Sequence, residues 1–293
     1  MPTTTVLDGG LATELQRHGW PVRQPWWGVD VLLTPAGRTL LGEVHRRYAD
    51  AGADVLTAHT FRGNLRSLRR AGLADDAAAR LVHTAVTVAR TAAPPGVRVA
   101  GSIAPVEDCY QPRLVPPDDE LREEHRWLAR RLHDAGVDLV LVETMNTLRE
   151  AVHALEAVAA LGMPAWVSFV CTEQGTLLSG EPLDRAARTA QRAGARAVLV
   201  NCTTPTGTRV ALRVLRDAGV TPVGTYPNLE DRSGLPAYTP VDRHVPAGTG
   251  TAQFAAELAG WRDEFGLVAA GGCCGATPAH IAALTRALAG QPA

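Results

Sequence analysis

The stretch DAGVDLVLVET, residues 134–144, is predicted to contain the end of a helix and the strand that follows it. A glycine placed just after the last helical turn adopts the left-handed conformation easily and ends the helix there. The apolar run 139–142 is continuous rather than alternating, which is typical of parallel strands covered on both faces. This stretch therefore predicts a parallel sheet flanked by helices.

The same Ala-Gly boundary recurs at 51–52, 193–194 and 218–219, each time before another apolar run. Outward from these boundaries, short runs rich in β-branched residues alternate with Ala-, Leu- and Arg-rich stretches of helical periodicity. The predicted strands are 4–8, 55–61, 97–103, 139–144, 165–171, 197–202, 222–226 and 267–270. The predicted helices are 35–51, 75–92, 118–135, 147–161, 183–193, 206–218, 250–264 and 278–289.

Eight strand–helix units predict the α/β fold class and a (β/α)₈ TIM barrel, with residues 1–293 as a single domain. The alternative is an open, doubly wound sheet. A dinucleotide-binding sheet of that kind carries a GxGxxG motif after its first strand, and this chain has none there. The closed barrel is therefore the preferred prediction.

The composition excludes several classes of function. A formal net charge of −1 gives no reason to expect a nucleic acid or an anionic membrane as partner. No apolar run approaches the roughly 20 residues of a membrane span, and the start MPTTTVLDGG is unlike a signal peptide. All 29 basic residues are arginine, so enzymes that need a lysine Schiff base and P-loop proteins are excluded. We expect a cytoplasmic protein, as a monomer or small homo-oligomer.

Cysteines are the most informative residues of this chain. There are five, and an odd number without a secretory signal argues against a disulfide framework. The strand assignment places all of them at the carboxyl ends of strands, where the active sites of (β/α)₈ barrels lie. They are Cys109, Cys171, Cys202, Cys273 and Cys274.

The run GGCCG, residues 271–275, is the strongest local signal. Neighbouring residues on a regular strand point to opposite faces, whereas the flanking glycines allow a sharp turn that aims both sulfur atoms inward. Cys202 could add a third thiolate, and three protein ligands with one open position describe a catalytic zinc site. Buried unliganded cysteines, a vicinal disulfide and a phosphate-binding loop remain as alternatives at this point.

At the level of motifs, the chain resembles the homocysteine S-methyltransferases, which are zinc-dependent thiol methyltransferases with a (β/α)₈ barrel. The matching segments occur in order along essentially the whole chain. They are DGGLATEL (8–15), GADVLTAHTF (52–61), GSIAP (101–105), LVETM (141–145), VNC (200–202), YPN (226–228) and GGCCGATPAHI (271–281).

The resemblance implies that Cys202, Cys273 and Cys274 are the ligands of Zn²⁺. It implies further that Asp8 and Glu143 hold the ammonium group of homocysteine, and that the backbone amides of Gly9 and Gly10 hold its carboxylate. Phe61 and Asn228, which stand in two of the matching segments, complete the predicted substrate-binding residues. The implied reaction is methyl transfer from a sulfonium donor to the thiol of homocysteine, giving methionine.

The methyl donor is inferred from what the chain lacks. It ends one helix after GGCCG, which leaves no room for a cobalamin- or folate-binding domain. S-Methylmethionine or S-adenosylmethionine is therefore the expected donor, and Trp20, Trp26, Trp27, Phe61 and Tyr226 are candidates to face its sulfonium. For Trp26 and Trp27, packing under the long loop after strand 1 is the preferred interpretation. Betaine-using members have a tyrosine after the phenylalanine of strand 2, whereas this chain has Arg62 there.

Three other functions stay open from the sequence. One is the same chemistry on a different thiol or a selenol acceptor, and another is a zinc-dependent hydrolase on the same barrel. The third is a zinc-binding or zinc-sensing protein without catalysis. Cys109 and Cys171 are expected to have no role in the chemistry.

Overall fold

This computed structural model describes residues 3–236 and 242–291. Its eight strands form one sheet in the order β1-β8-β7-β6-β5-β4-β3-β2, with every paired neighbour parallel. The strands are β1 Thr5–Val6, β2 Val55–Thr57, β3 Arg98–Ile103, β4 Leu139–Met145, β5 Ala165–Phe169, β6 Ala195–Asn201, β7 Val223–Tyr226 and β8 Ala269–Ala270. A parallel bridge between Leu7 and Val55 joins β1 to β2 and closes the sheet, which confirms the predicted (β/α)₈ barrel.

Ten α-helices surround the barrel in the described part of the chain. They are α1 Leu11–Arg17, α2 Pro35–Asp50, α3 Leu65–Arg70, α4 Asp75–Ala92, α5 Asp118–Asp134, α6 Leu148–Ala159, α7 Leu183–Arg192, α8 Pro205–Asp217, α9 Thr251–Phe265 and α10 Pro278–Leu288. The eight predicted helices are all present, within two residues of their predicted ends. The sequence patterns missed the two short helices α1 and α3, and also the 3₁₀ turns Val29–Leu33 and Pro112–Leu114.

Local signals in the sequence account for most helix ends. The Thr204 side chain accepts a hydrogen bond of 3.1 Å from the Gly207 amide, and Pro205 occupies the first turn of α8. All four Ala-Gly boundaries place their glycine at positive φ, as predicted. Because each glycine ends its helix within a few residues of the next strand, the loops at the amino ends of those strands are short.

Two layers of apolar side chains hold the barrel together. Leu7, Val55, Leu139, Leu141 and Leu199 fill the barrel interior and are at most 2% exposed. A larger set of buried side chains packs between the outer faces of the strands and the helices. Full burial of one such aliphatic side chain stabilises a fold by about 1.5–3 kcal/mol. The interior is therefore a packed core, and a cavity can form only at its ends.

The strands are unequal in length around the barrel. β5 and β6 pair over five residues, whereas β1 pairs with β8 over two, at Thr5 with Ala269 and Val6 with Ala270. The barrel thus has a seam, formed by β8, β1 and β2, where the ladder is shortest. The Asp54 amide donates to the Val6 carbonyl at 2.8 Å and strengthens this seam.

Within residues 3–236 and 242–291, no helix combines the length and the apolar character that crossing a membrane would need. The cytoplasmic location and the monomeric or small oligomeric state stay predictions.

Candidate metal centre and substrate cavity

Three cysteine sulfur atoms meet at the carboxyl end of the barrel. The Sγ atoms of Cys202, Cys273 and Cys274 all lie within 4.8 Å of one another, which makes them a group that could hold a metal ion. The Sγ atom of Cys274 lies 3.9 Å from that of Cys202 and 4.0 Å from that of Cys273. Thiolates bound tetrahedrally to one zinc ion at 2.3 Å lie about 3.8 Å apart. The Sγ atoms of Cys202 and Cys273 are in direct contact, with Cα atoms 5.7 Å apart, so the site is already assembled around one point.

The backbone at both cysteine positions leaves regular strand geometry. Cys202, directly after β6, has φ of 48°, a conformation that only a few per cent of non-glycine residues adopt. In the second segment, a Cβ at Gly272 would lie 2.1 Å from the Cβ of Ala276, so only glycine fits there. The Cys273 amide donates to the Pro227 carbonyl at 2.9 Å. These two turns bring sulfur atoms separated by 71 residues to one point.

A cavity of about 220 Å³ opens directly over the sulfur atoms. Its wall includes the three cysteines and five of the six predicted substrate-binding residues. These five are Asp8, Gly9, Gly10, Phe61 and Glu143. The metal group and the predicted amino-acid pocket therefore share one space.

Asp8 is a buried carboxylate at the inner end of the cavity. One of its oxygens accepts a hydrogen bond of 2.7 Å from the Thr57 amide, and the other accepts one of 2.8 Å from the Thr57 hydroxyl. Burial raises the pKa of Asp8 to about 7, against the lowering effect of these hydrogen bonds, and the nearby charge of Glu143 adds to the rise. A cation bound here would restore the ionised form.

Glu143 lies in the same end of the cavity, at the end of β4. Its two oxygens accept hydrogen bonds from the Ser102 hydroxyl and, at 3.1 Å, from the Tyr226 hydroxyl. Burial raises the pKa of Glu143, while these two hydrogen bonds lower it. The next residue, Thr144, has φ of 58°, and its amide is bound by the Asn201 side chain at 3.1 Å. The carboxylate is thus oriented by a buried network that spans β3, β4, β6 and β7.

The two glycines after Asp8 differ in what their amides can do. The Gly10 amide donates to the Ala276 carbonyl at 3.3 Å, whereas the Gly9 amide has no partner within the described chain. A Cβ at Gly9 would lie 2.7 Å from the Ala276 carbonyl oxygen, so a side chain there would displace the loop that follows the cysteines. Of the two predicted carboxylate-binding amides, the Gly9 amide is the uncommitted one.

Asn228 is the predicted site residue that the structure does not bring to the cavity wall. It is buried, and its side-chain oxygen accepts a hydrogen bond of 2.9 Å from the Glu230 amide. Asn228 therefore shapes the turn after β7, and its substrate-binding role stays a prediction.

The outer end of the cavity is formed by charged residues on loops. Glu230, in the loop after β7, accepts a hydrogen bond of 2.9 Å from Arg232. The cavity wall also contains Arg62, after β2, and Asp108 and Tyr110 from the loop after β3. Burial raises the pKa of the Cys274 thiol, and the charge of Glu230 raises it further. A bound cation would therefore be needed to keep this thiol ionised.

The two remaining cysteines differ. Cys109 lines the cavity, and burial raises the pKa of its thiol to about 11. Cys171 is completely buried, does not line the cavity, and its pKa is raised by burial to about 12. Neither joins the group of three sulfur atoms.

Sequence patterns missed several residues that build the site. Thr57 and Ser102 orient the two carboxylates, and both are small polar residues on predicted strands. A hydroxyl side chain near the carboxyl end of an otherwise apolar predicted strand is a signal that could have identified both residues, because a buried hydroxyl needs a hydrogen-bond partner. Glu230 and Arg232 carry no such signal, because they lie in a loop whose path is fixed by distant contacts.

Comparison with known proteins agrees with this architecture. The sequence model of the family described as homocysteine S-methyltransferase matches residues 5–288. Homocysteine S-methyltransferase 4 of Zea mays is 29% identical over 97% of this chain and 89% of its own length. Selenocysteine Se-methyltransferase of Brassica oleracea var. italica is 27% identical over 97% of this chain and 88% of its own length. The crystal structure of the metallated form of the homocysteine methyltransferase MmuM from Escherichia coli superposes with a TM-score of 0.80 at 27% identity, covering 96% of this chain and 95% of that one.

Proposed function

Because the chain belongs to the homocysteine S-methyltransferase family, we propose that it transfers a methyl group from a sulfonium donor to the thiol of homocysteine, giving methionine. The observation that carries the proposal is the position of the three cysteine sulfur atoms in the wall of a cavity that also contains two buried carboxylates. This combination suits a small thiol that carries an ammonium group. It favours methyl transfer over the hydrolase alternative, since three thiolates make a metal-bound water a poor acid.

Zn²⁺ is the metal proposed for the three cysteines, because soft thiolate ligands favour zinc over magnesium or manganese. Cys202, Cys273 and Cys274 would hold it in the wall of the cavity. When bound, zinc lowers the pKa of a substrate thiol so that the sulfur is present as the nucleophilic thiolate at neutral pH.

The inner end of the cavity binds the amino-acid part of homocysteine in this proposal. Asp8 and Glu143 together neutralise the ammonium group, whose positive charge returns both carboxyl groups to their ionised form. The Gly9 amide, which has no partner within the described chain, donates to the substrate carboxylate, while the Gly10 amide keeps its bond to the Ala276 carbonyl. Because Thr57, Ser102 and Tyr226 already orient the carboxylates, the pocket needs little rearrangement on binding.

The chain contributes mainly by positioning during methyl transfer. A carbon–sulfur bond forms to the acceptor sulfur as the carbon–sulfur bond of the sulfonium breaks, and the bonding pair of the broken bond stays on the departing sulfur. The donor leaves as a neutral thioether, so no residue has to protonate it. The apolar walls, including Phe61, exclude water, and alignment of the two sulfur atoms with the methyl carbon lowers the barrier.

The size of the cavity bears on the donor. Its volume of about 220 Å³ is below the range of roughly 300–1,000 Å³ that is usual for drug-sized ligands. S-Methylmethionine, which lacks a nucleoside, is therefore favoured over S-adenosylmethionine.

The test is to purify the reduced protein, measure its zinc content and supply homocysteine with S-methylmethionine. We expect about one zinc ion per chain and formation of methionine. Full zinc occupancy without methionine, with either donor, would contradict the proposed acceptor. Selenocysteine is the second acceptor to supply, because the Brassica oleracea relative is named for it.

A further inference from the structure

Arg62 lies at the outer end of the cavity and is half-buried in its wall. Its guanidinium is 5.3 Å from the ring centre of Phe61. The Nη1 atom donates to the carbonyl oxygens of Pro105, at 3.4 Å, and of Glu107. One side of the guanidinium is therefore fixed to the loop after β3, which holds the charge in a defined place.

The other side of the guanidinium has no partner. Within residues 3–236 and 242–291, Nε and Nη2 of Arg62 make no hydrogen bond, and no acidic side chain forms an ion pair with it. By contrast, Arg232 in the same wall is paired with Glu230 at 2.9 Å. Among the described residues Arg62 thus has no ion-pair partner, and its Nε–Nη2 edge stays available.

The available edge defines the ligand that it would take. Nε and Nη2 present two parallel N–H groups, and this geometry matches the two oxygens of one carboxylate. A partly desolvated guanidinium gains more from such a bond than one in bulk water does. The expected ligand group at this end of the cavity is therefore a carboxylate.

We propose that Arg62 binds the carboxylate of the methyl donor and so selects sulfonium compounds that carry one. The inference rests on the proposed function. In that function homocysteine places its own carboxylate at the Gly9 amide, which is a different part of the cavity wall from Arg62. With the homocysteine carboxylate at Gly9, the carboxylate of the donor is the remaining anion of the reaction, and the Nε–Nη2 edge of Arg62 is the uncommitted donor pair in the cavity wall that suits it.

Calorimetric binding to the zinc-loaded protein tests this without any turnover. The probes are S-methylmethionine and its methyl ester, which keeps the sulfonium and the ammonium but loses the carboxylate charge. We expect the wild type to bind the acid about 10- to 100-fold more tightly than the ester, and Arg62→Met to bind the two within about threefold. Arg62→Lys, which keeps the charge without the two-pronged edge, should fall between them.

Arg80→Met is the matched control, because it removes the same charge from an exposed ion pair with Asp76 on α4. It should keep the wild-type preference for the acid. Equal binding of acid and ester by the wild type would overturn the proposal. The proposal would also be overturned if Arg62→Met kept the wild-type preference for the acid over the ester. The same holds if Arg62→Met raised the KM for homocysteine and left donor binding unchanged. If the wild type prefers the acid and Arg62→Met does not, yet no methionine forms, the proposed reaction fails while the assignment of Arg62 stands.

Discussion

The two ends of the cavity are built in different ways. At the inner end, the oxygens of Asp8 and Glu143 already accept hydrogen bonds from Thr57, Ser102 and Tyr226. All of these residues lie on strands or directly at their ends. At the outer end, the charged groups lie on loops, and the guanidinium edge of Arg62 has no partner within residues 3–236 and 242–291.

This difference separates a fixed pocket from an adaptable one. Strand-borne groups with satisfied hydrogen bonds recognise one arrangement of charge, and here it suits the ammonium and carboxylate of an amino acid. Loops tolerate changes of sequence and length without cost to the barrel. We therefore infer that the acceptor is set by the barrel itself, whereas the donor is set by its loops.

The largest loss of activity is expected from substitution of a cysteine of the metal group, because the substrates bound at both ends of the cavity react at these sulfur atoms. Cys274→Ala should lose bound zinc and lower the rate of methionine formation by at least about 10³-fold, because the acceptor sulfur then stays a thiol. Metal analysis of the purified variant and a methionine assay measure this. Cys171→Ala is the matched control, since that buried cysteine does not line the cavity. If Cys274→Ala were fully active and still contained zinc, the two ends of the cavity would not depend on the group of three cysteines.

A smaller effect, confined to one end, is expected from Glu143→Gln. Loss of one of two charges that hold the ammonium group should raise the KM for homocysteine about 100-fold. The KM for the sulfonium donor should change by less than about threefold. Steady-state kinetics with each substrate varied in turn separate the two constants. A parallel rise in both would mean that the two ends are not independent.

The pH dependence should also belong to the inner end. The pKa of Asp8 is raised to about 7 in the empty pocket, so this group gains a proton as the pH falls below that value. The protonated form cannot hold an ammonium group, and kcat/KM for homocysteine should fall up to about tenfold per pH unit below 7. The ratio of wild type to Asp8→Asn isolates this group from the other titrations. A ratio that is flat between pH 5.5 and 8 would show that Asp8 does not bind the ammonium group.

The smallest effect is expected from Ser102→Ala, which leaves the charge of Glu143 and removes one hydrogen bond that orients it. The KM for homocysteine should rise about 3- to 10-fold, the usual range for one buried hydrogen bond. Ser67→Ala, on α3, serves as the control. If Ser102→Ala equals the wild type, the inner end is less rigid than its hydrogen bonds indicate.

The fold could be predicted because its signals are local. Continuous apolar runs mark strands such as β4, and a glycine after Ala135, Ala193 or Ala218 marks where a helix ends. The predicted strand 55–61 was too long, since β2 ends at Thr57. Beyond it, the Thr60 amide bonds to the Ala58 carbonyl at 2.7 Å and turns the chain away from the sheet. The short helices α1 and α3 were missed because six or seven residues contain too little periodicity to detect.

The candidate site was predictable only where a residue type is chemically distinctive. Paired cysteines flanked by glycines, and acids directly after apolar strands, indicate metal and charge recognition. Glu230 and Arg232 are ordinary charged loop residues in the sequence. Their place in the cavity depends on the turn held by Asn228 and on a bridge between Glu230 and Ala247, which no local pattern encodes.

The two-residue ladder between β1 and β8 determines where the barrel is expected to open first when the protein is destabilised. Asp8, Gly9 and the cysteine pair are attached directly to this seam, where few backbone hydrogen bonds oppose local opening. Metal binding to Cys202, Cys273 and Cys274 would tie β6 to the seam and resist that opening. A destabilising substitution anywhere near β1 or β8 should therefore be felt first as weaker metal retention, while the remainder of the barrel is still folded. If zinc is bound as proposed, we expect its content to be a more sensitive measure of damage to this fold than the melting temperature.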